Sequence, residues 1–389
     1  MGFFSRQTIG LDIGSRVVKA VQLVKKGKKI ELDKCGIADI YPNGEKPARP
    51  DEQRQAIIRA IRQALTNAKI TATSAVSAVA GESVIIRYIQ LPEMTEAELK
   101  NSIQFQAEEY IPFRVEDVNI DFSVIGRSVE GDIRRMDVLL VCARKDLIND
   151  HIRLLQEAGL TPEIIDTESF AFLNCFEMNY ETGPDDVAAL VNIGGDITGI
   201  AVHAAGNPKF SRDISIGGNT ITAAIQQRLE VSFSEAETLK LERGAPKTTG
   251  EGDSGAASGA DGGNVLDTIR ATVEAMTGGN PGAPSREVQA DRAIQSTLNN
   301  LVGEIRRSIQ FYEGNARGNS VKRLVLGGGS ASLKGLDVYM QRELKLPVEI
   351  IDPLRRIPVT GGDVDPQFLR DNKYMLSVVV GLALRKVVD

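Results

Sequence analysis

Apolar and polar residues alternate along the first forty positions of the chain. TIGLDIG alternates until Gly14 and Ser15, RVVKAVQLV resumes the alternation, and KKGKK follows. A period of two predicts β-strands, and the breaks predict tight turns between them. The chain is therefore predicted to open with a strand hairpin, followed by a third strand near 30–38.

The same pattern returns in the second half of the chain. LDIGSRVVKAVQL (11–23) and VNIGGDITGIAVH (191–203) both contain an apolar strand, a polar residue, an Ile-Gly pair, a turn and a second apolar strand. Two copies of one hairpin at this separation indicate an internal repeat. We therefore predict two pseudo-symmetric lobes.

A smaller unit is predicted between the two hairpins, over 83–165. Its first helix is expected to begin at Thr95, with Glu98 completing a capping box. Its second helix is expected to end at Gly159. A short strand at 163–166 would then close a β-α-β-β-α-β subdomain.

The last part of the chain combines a Gly-rich segment with further helices. Residues 244–284 are rich in Gly, Ala, Ser, Thr and Asp, a composition that predicts a flexible surface insertion. A helix at 265–276 is a candidate within it. Helical spacing follows at 292–315, and an apolar helix that should pack between other elements is predicted at 374–386.

Length and charge limit the class of protein. A chain of 389 residues exceeds the roughly 250–300 residues at which single cores stop growing, so two or more lobes are expected. The net charge is −6 and Trp is absent. Because nucleic acids are bound through clustered Lys and Arg, this balance argues against a nucleic-acid partner.

Cysteine usage and hydropathy point to a reducing, aqueous compartment. The three cysteines are widely spaced within apolar stretches, and there are two histidines, which predicts buried thiols rather than a redox or zinc site. No apolar run reaches the ~18 residues of a membrane span, and the first residues lack the apolar region of a secretory signal. We expect a soluble, cytoplasmic protein.

Three glycine clusters provide the chemistry expected at a nucleotide site. Phosphates need closely packed N–H donors, which glycine permits, and magnesium needs a carboxylate. Asp12 with Gly14-Ser15 meets both needs, and Gly194-Gly195 and the turn at 327–330 repeat the glycine pattern. Each cluster alone is more often a structural turn. The chain contains neither a P-loop nor a complete GxGxxG motif, so the order of the clusters carries the prediction.

That order resembles the actin/Hsp70/hexokinase superfamily. GLDIGSRVVKAVQL is similar to its phosphate-1 motif, VNIGGDITGIAV to phosphate-2, and LVLGGGSASLKGL to the adenosine motif. The segments RYIQLPEMTEAELKNSIQFQAEEYIPF and DVLLVCARKDLINDHIRLLQEAGLTPEIIDTESFA resemble the PilM branch, whose nearest relative is FtsA. The part that most resembles PilM is 110–113.

The resemblance implies an α/β, actin-like (ribonuclease H-like), two-lobed ATPase fold with subdomains 1A, 1C, 2A and 2B. The expected divisions are 1–82 (1A), 83–165 (1C), 166–186 (return to 1A), 187–225 (2A), 226–320 (2B, with the insertion at 244–286), 321–365 (2A) and 366–389 (a C-terminal helix packing on 1A).

The resemblance also implies a site for ATP and Mg²⁺. The expected binding residues are Asp12 (also the metal ligand), Gly14, Ser15, Lys19, Asn192, Gly194, Gly195, Thr198, Gly217, Gly218, Glu237, Lys240, Gly328, Gly329 and Ser330. Simpler interpretations stay open for three of them. Lys19 could be a solvated strand residue, and Glu237 with Lys240 an ordinary exposed helix pair.

One position departs from the superfamily pattern. Asn192 stands where much of the superfamily has Asp at the start of phosphate-2, which removes a negative charge near magnesium or the attacking water. Glu168, or else Asp166, is the candidate for positioning that water, and a helix N-cap cluster is the alternative interpretation. We therefore expect nucleotide binding, with hydrolysis slow or absent.

As a PilM-like protein, the chain would be an ATP-binding scaffold of the type IV pilus machine, on the cytoplasmic face of the inner membrane. Its implied partner is the N-terminal cytoplasmic tail of PilN, through which it would associate with the membrane. The pilus motor ATPases and the platform protein are further implied partners, and a homo-oligomer or ring is an implied assembly. We expect the peptide groove between the first lobe and 83–165, near 110–113.

Other functions of the same fold remain alternatives. A polymerising cytoskeletal protein like FtsA is the first. A small-molecule kinase needs a catalytic Asp in an interlobe pocket, for which only the Asp166 and Glu168 region offers a candidate. An Hsp70-like chaperone is disfavoured because no substrate domain follows Asp389.

Overall fold

Two five-stranded sheets with the same strand order form the centres of two lobes in the computed structural model. The structure describes residues 8–42, 44–130, 133–246, 284–316, 319–362 and 364–387. The predicted insertion at 244–286, including its candidate helix at 265–276, lies almost entirely outside the described residues.

The first lobe is built on a mixed sheet. Its elements are β1 (Thr8–Ile13), β2 (Val17–Lys26), β3 (Lys29–Asp39), α1 (Pro50–Asn67), β4 (Ser74–Val79), α3 (Lys145–Ala158), β8 (Thr161–Thr167) and α4 (Glu168–Asn179). The strand order is β3-β2-β1-β4-β8. The first three strands are antiparallel neighbours, while β4 runs parallel to β1 and β8 parallel to β4.

The second lobe repeats this arrangement. Its elements are β9 (Val187–Ile193), β10 (Thr198–Ala204), β11 (Asn207–Ile214), α5 (Gly218–Leu229), α6 (Phe233–Arg243), α7 (Arg286–Asn315), β12 (Arg323–Gly327), α8 (Leu336–Leu344) and β13 (Val348–Ile350). Its strand order, β11-β10-β9-β12-β13, has the same pattern of antiparallel and parallel pairs. The predicted repeat and the two-lobed α/β architecture are confirmed.

A three-stranded sheet projects from the first lobe. It consists of β5 (Val84–Pro92), β6 (Val118–Glu130) and β7 (Ile133–Arg144) in the order β5-β7-β6, with α2 (Glu96–Ala107) on one face. The Thr95 side chain accepts a hydrogen bond from the Glu98 N–H, and the Glu98 carboxylate accepts one from the Thr95 N–H. The predicted capping box is therefore confirmed.

The predicted extent of this small unit is wrong at its C-terminal end. The strand at 163–166 belongs to β8, which pairs with β4 in the first lobe rather than closing the small sheet. The preceding helix α3 ends at Gly159 as expected, with φ 96°, but its buried residues Leu155 and Ala158 join the core around α1. Local patterns predict that a strand exists; the packing of the helix before it decides which sheet it joins.

The helix α4 and the last described helix connect the lobes, because both belong to a core that includes strands of each lobe. The chain ends with α9 (Pro366–Asn372), a 3-10 turn (373–376) and α10 (Ser377–Leu384), in which every residue is buried. α10 packs against α4, and a Cβ on Gly381 would lie only 1.7 Å from the Ala171 carbonyl oxygen. The predicted packing of the apolar C-terminal helix between other elements is confirmed.

Two further expectations concern cysteines and hydropathy. The three cysteines are free and buried, and burial raises the pKa of Cys142 to about 11, so this thiol is unreactive at neutral pH. Within the described ranges, no helix is both long and apolar enough to cross a membrane.

Candidate functional site

The two glycine hairpins meet where the lobes face each other. The Gly14 N–H donates to the Val17 carbonyl at 3.1 Å, and the Gly194 N–H donates to the Ile197 carbonyl at 2.9 Å. The two turns therefore have the same geometry. A Cβ on Gly195 would lie 2.2 Å from the Ser15 Oγ, so the two turns touch.

An ion pair lies directly beneath the first turn. The Lys19 Nζ is 2.7 Å from the Asp12 carboxylate, and their side chains are only 12% and 7% exposed. The two residues are opposite each other in the β1–β2 ladder. Lys19 is thus not the solvated strand residue that the sequence left open. Because buried charges are costly without a partner, each holds the other in place.

Glu168 lies at the first position of α4, near this pair. Burial, and then the negative charge of Asp12, raises the pKa of Glu168 to about 8, while Lys19 opposes the shift and Asp213 adds to it. The protonated form of the Glu168 carboxyl is therefore favoured over that of an ordinary glutamate. In this form it donates a proton rather than accepting one.

The residues next to Glu168 form the helix N-cap cluster that was the alternative interpretation of this segment. The N-cap of α4 is Thr167, whose hydroxyl accepts from the Phe170 N–H. Asp166 accepts from the Thr167 N–H at 2.8 Å and lies 3.3 Å from Arg385. Asp166 and Thr167 therefore hold the start of the helix, and Glu168 is left to face the cleft.

A carboxylate that sequence reasoning missed bridges the two lobes. Asp213, on β11, accepts from the Gly81 N–H at 2.7 Å and from the Ser169 hydroxyl at 3.5 Å. Burial raises its pKa above the usual range. In the sequence it is simply a polar residue on an alternating strand, and no local signal separates it from a solvated one.

A second ion pair, between buried Lys240 and half-buried Glu237, lies in the second lobe. The Lys240 Nζ donates to the Glu237 carboxylate at 2.8 Å, the Thr222 hydroxyl at 3.1 Å and the Gly218 carbonyl at 3.2 Å. Burial lowers the pKa of Lys240, against the effect of Glu237. The alternative of an exposed helix pair is therefore wrong.

The start of α5 packs tightly on the second turn. The Gly218 and Asn219 N–H groups donate to the Gly194 and Gly195 carbonyls at 3.0 and 2.7 Å. A Cβ on Gly217 would lie 2.4 Å from the Gly195 carbonyl oxygen. Gly217 is therefore required for this packing, and these helix N–H donors already have protein acceptors.

The third glycine cluster joins the same region. The Ser330 hydroxyl donates to the Gly194 carbonyl at 2.9 Å. Gly328 has φ 89°, and a Cβ there would lie 2.7 Å from the Asn192 Oδ1, whereas Gly329 has open space around it. A 3-10 turn follows, and α8 begins only at Leu336, so the predicted helix N-terminus does not adjoin the glycines.

Thr198 differs from the other predicted residues. Its side chain is fully buried, and its hydroxyl donates to the Ile216 carbonyl at 2.6 Å. It therefore fixes the loop before α5 rather than facing the cleft. The structure brings the remaining residues together around the two turns: Asp12, Gly14, Ser15, Lys19, Asn192, Gly194, Gly195, Gly217, Gly218, Glu237, Lys240, Gly328, Gly329 and Ser330.

An arginine beside the first turn reaches across to the second lobe. The Arg16 guanidinium lies 4.1 Å from the centre of the Phe233 ring and 5.5 Å from that of Tyr41. It also donates to the Gly44 carbonyl at 3.0 Å. Sequence reasoning missed this contact because its partners are far apart in the chain. Together with Asp213, it holds the lobes closed.

A cavity of about 10 Å³ lies between the lobes, lined by Glu168, Ser169, Phe172, Leu190, Asn192, Gly199 and Ala201. This is about the space of one water molecule. Its lining comes from α4, β9 and β10, and none of it from the two glycine turns.

A much larger groove of about 890 Å³ lies between the segment 112–117 of the small unit and α3. Its lining residues are Pro112, Phe113, Arg114, Glu116, Asp117, Arg144, Lys145, Asp146, Asn149, Ile152 and Arg153. Phe113 and Ile152 provide apolar surface, and the other residues are mostly charged, with both signs present. The groove lies at the predicted place, although Tyr110 packs into the core of the small unit instead of lining it.

Comparison with known proteins supports the fold. The chain is 22% identical to the cell division protein FtsA of Escherichia coli (strain K12), over 92% of this chain and 87% of FtsA. A solved PilM-PilN type IV pilus biogenesis complex superposes with a TM-score of 0.74 at 24% identity, covering 98% of both chains. MreB5 of Spiroplasma citri bound to ADP gives 0.50 at 13%, covering 99% of this chain and 97% of MreB5.

The sequence also matches a family described as type IV pilus assembly protein PilM, over residues 10–251 and 291–387. This match includes both hairpins, the small unit with its groove, and the third glycine cluster. The chain therefore belongs to the PilM family of type IV pilus assembly proteins.

Proposed function

We propose that this protein is an ATP-binding scaffold of the type IV pilus machine that binds the N-terminal cytoplasmic tail of PilN. The observation that carries the proposal is the meeting of two matching glycine turns, one from each lobe, above the buried Asp12 carboxylate. Triphosphate held between the turns would contact both lobes. A nucleotide would then favour one lobe arrangement through its differential affinity for the two states.

The residues around the first turn fit magnesium bound together with a nucleotide. Among the described residues, no group of three or more His, Cys, Asp or Glu side chains could hold a metal ion alone. Mg²⁺ commonly takes one or two carboxylates and completes its shell with phosphates and water. Asp12 would supply the first carboxylate, and Glu168 lies close enough for the negative charge of Asp12 to raise the pKa of Glu168.

Slow hydrolysis follows from the same groups. Asn192 adds no charge beside the turn, and the raised pKa of Glu168 disfavours its carboxylate form. A protonated carboxyl cannot act as the general base for an attacking water. The proposed role of ATP is therefore to set the lobe arrangement.

The groove beside α3 is the proposed site for the PilN tail. Its volume of about 890 Å³ suits a short extended segment, with apolar side chains against Phe113 and Ile152 and the peptide backbone near the charged rim. The solved relative with the same fold is a complex of PilM with PilN. Binding this tail would hold the protein at the cytoplasmic face of the inner membrane, where the motor ATPases and the platform protein would be further partners.

A labelled peptide of the PilN tail tests this assignment by fluorescence anisotropy. Ile152→Glu places a charge on the apolar surface of the groove and should weaken binding at least tenfold, about 1.4 kcal/mol. Gln156→Glu places the same charge on an exposed position of α3 outside the groove and should leave binding unchanged. Equal binding by both variants would contradict the groove assignment.

Similarity to FtsA over most of the chain makes filament formation the second candidate function. Sedimentation of the protein with Mg-ATP tests it. Pelleting that depends on nucleotide would favour the filament function, whereas a soluble protein that binds the peptide would favour the scaffold.

A further inference from the structure

We propose that His151 and Ser77 are positioning residues that couple the peptide groove to the hairpin carrying Asp12. The inference rests on the proposed function, because it concerns communication between the two sites named there. It begins with a helix that has one surface in the groove and another in the core.

That helix is α3. Lys145, Asn149 and Ile152 recur at four- and three-residue intervals and line the groove. Leu155 and Ala158 lie on a different face and pack into the core of the first lobe. A peptide that displaces the groove face therefore moves the buried face as well, because an α-helix moves as one body and the core is close-packed.

His151 connects the buried face to the central sheet. Its Nε2 is 2.9 Å from the Ser77 Oγ, and the Ser77 hydroxyl donates to the Leu11 carbonyl at 2.8 Å. Since the hydroxyl hydrogen is used for Leu11, the His151 Nε2 must carry the hydrogen that is donated to Ser77. Burial lowers the pKa of His151 to about 4, so the ring stays neutral at pH 7.

The end of this chain of hydrogen bonds adjoins the proposed nucleotide site. Leu11 immediately precedes Asp12, and Leu11 and Ser77 are fully buried and opposite each other in the β1–β4 pair. Other side chains tie α3 elsewhere: Arg54 and Arg62 bond to the last turn of α3 from α1. Through Ser77, the hydrogen bond of His151 reaches the strand that carries the Asp12 carboxylate.

The test measures coupling rather than binding alone. A calorimetric titration of the PilN-tail peptide is made into the full-length protein with and without Mg-AMPPNP, and the ratio of the two dissociation constants is the readout. Reciprocity requires that the peptide change the nucleotide affinity by the same factor. A titration of nucleotide with and without the peptide therefore checks each ratio. His151→Leu removes the hydrogen bond, and His151→Gln keeps a donor near the Nε2 position.

For the wild type we expect a ratio of about fivefold or more, the lower end of typical allosteric coupling. His151→Leu should bring the ratio below about twofold while each ligand alone keeps its affinity, and His151→Gln should retain the wild-type ratio. Ser77→Ala repeats the test from the sheet side if His151→Leu fails to fold. An unchanged ratio in the disrupted variants that fold would overturn the inference.

Failure of the proposed function gives a different result. If the wild type binds nucleotide but no peptide, or peptide but no nucleotide, the two-site scaffold is wrong and the inference falls with it. If the wild type binds both with a ratio of one, the scaffold stands and the coupling through His151 is wrong.

Discussion

Replacing Asp12 should affect both nucleotide binding and folding, and the two effects can be separated. Asp12 and Lys19 form an ion pair whose side chains are 7% and 12% exposed. Asp12→Asn keeps the shape of the side chain but leaves the Lys19 ammonium buried without its partner. Breaking a buried pair in this way typically costs about 3–5 kcal/mol.

We expect the lower end of that range, about 3 kcal/mol, because the pair lies near the cleft, where lobe opening admits water. The double variant Asp12→Asn/Lys19→Met removes both charges and should recover most of the lost stability. Neither variant should bind Mg-ATP, because both lack the carboxylate assigned to magnesium. The two variants should therefore differ in their free energy of unfolding but share the loss of nucleotide binding.

Guanidinium denaturation followed by circular dichroism measures the first effect, and calorimetric titration of Mg-ATP the second. An Asp12→Asn protein as stable as the wild type would show that Lys19 does not depend on Asp12. A double variant that binds Mg-ATP with wild-type affinity would refute the assignment of Asp12 to the nucleotide site.

Three further predictions concern acid stability, lobe closure and the interlobe helices. The pKa of His151 falls from its ordinary 6.5 to about 4 on folding, so below pH 6.5 the unfolded chain binds a proton that the folded protein does not. This group has no pH-linked effect on the free energy of unfolding above pH 6.5, and it lowers that free energy by about 3 kcal/mol as the pH falls towards 4. Urea denaturation at several pH values should therefore show a steeper acid loss for the wild type than for His151→Leu. Arg16→Ala removes a cation–π contact between the lobes worth about 0.5–2 kcal/mol, and small-angle scattering of the nucleotide-free protein should show a larger radius of gyration; an unchanged radius would contradict this role. Gly381→Ala places a Cβ against the Ala171 carbonyl and should lower the free energy of unfolding by about 1–3 kcal/mol, whereas Gly303→Ala, which has open space, should not lower it.

Local signals in the sequence were sufficient for much of the fold. The two hairpins were predicted because alternation and glycine turns are short-range features, and the Thr95 capping box depends on a spacing of three residues. The position of β8 was not predictable in this way. Its pairing with β4 depends on where α3 packs, and that is a contact between distant parts of the chain.

The same distinction between local motifs and contacts across the chain applies to the candidate site. The glycine turns and Asp12 lie within recognisable motifs, so their residues could be named in advance. Asp213 and the contact of Arg16 with Phe233 join segments far apart in sequence, and no local pattern indicates them. Burial also changed the interpretation of Lys240, which looks like an exposed helix residue until Thr222 and Gly218 are placed beside it.

Calorimetric titration of Mg-ATP into the wild-type protein, after removal of co-purified nucleotide, tests the central claim most directly. We expect binding at micromolar concentrations or tighter, with one nucleotide per chain, and loss of that binding in Asp12→Asn/Lys19→Met. Absence of binding both to the protein alone and to the protein saturated with the PilN-tail peptide would contradict it.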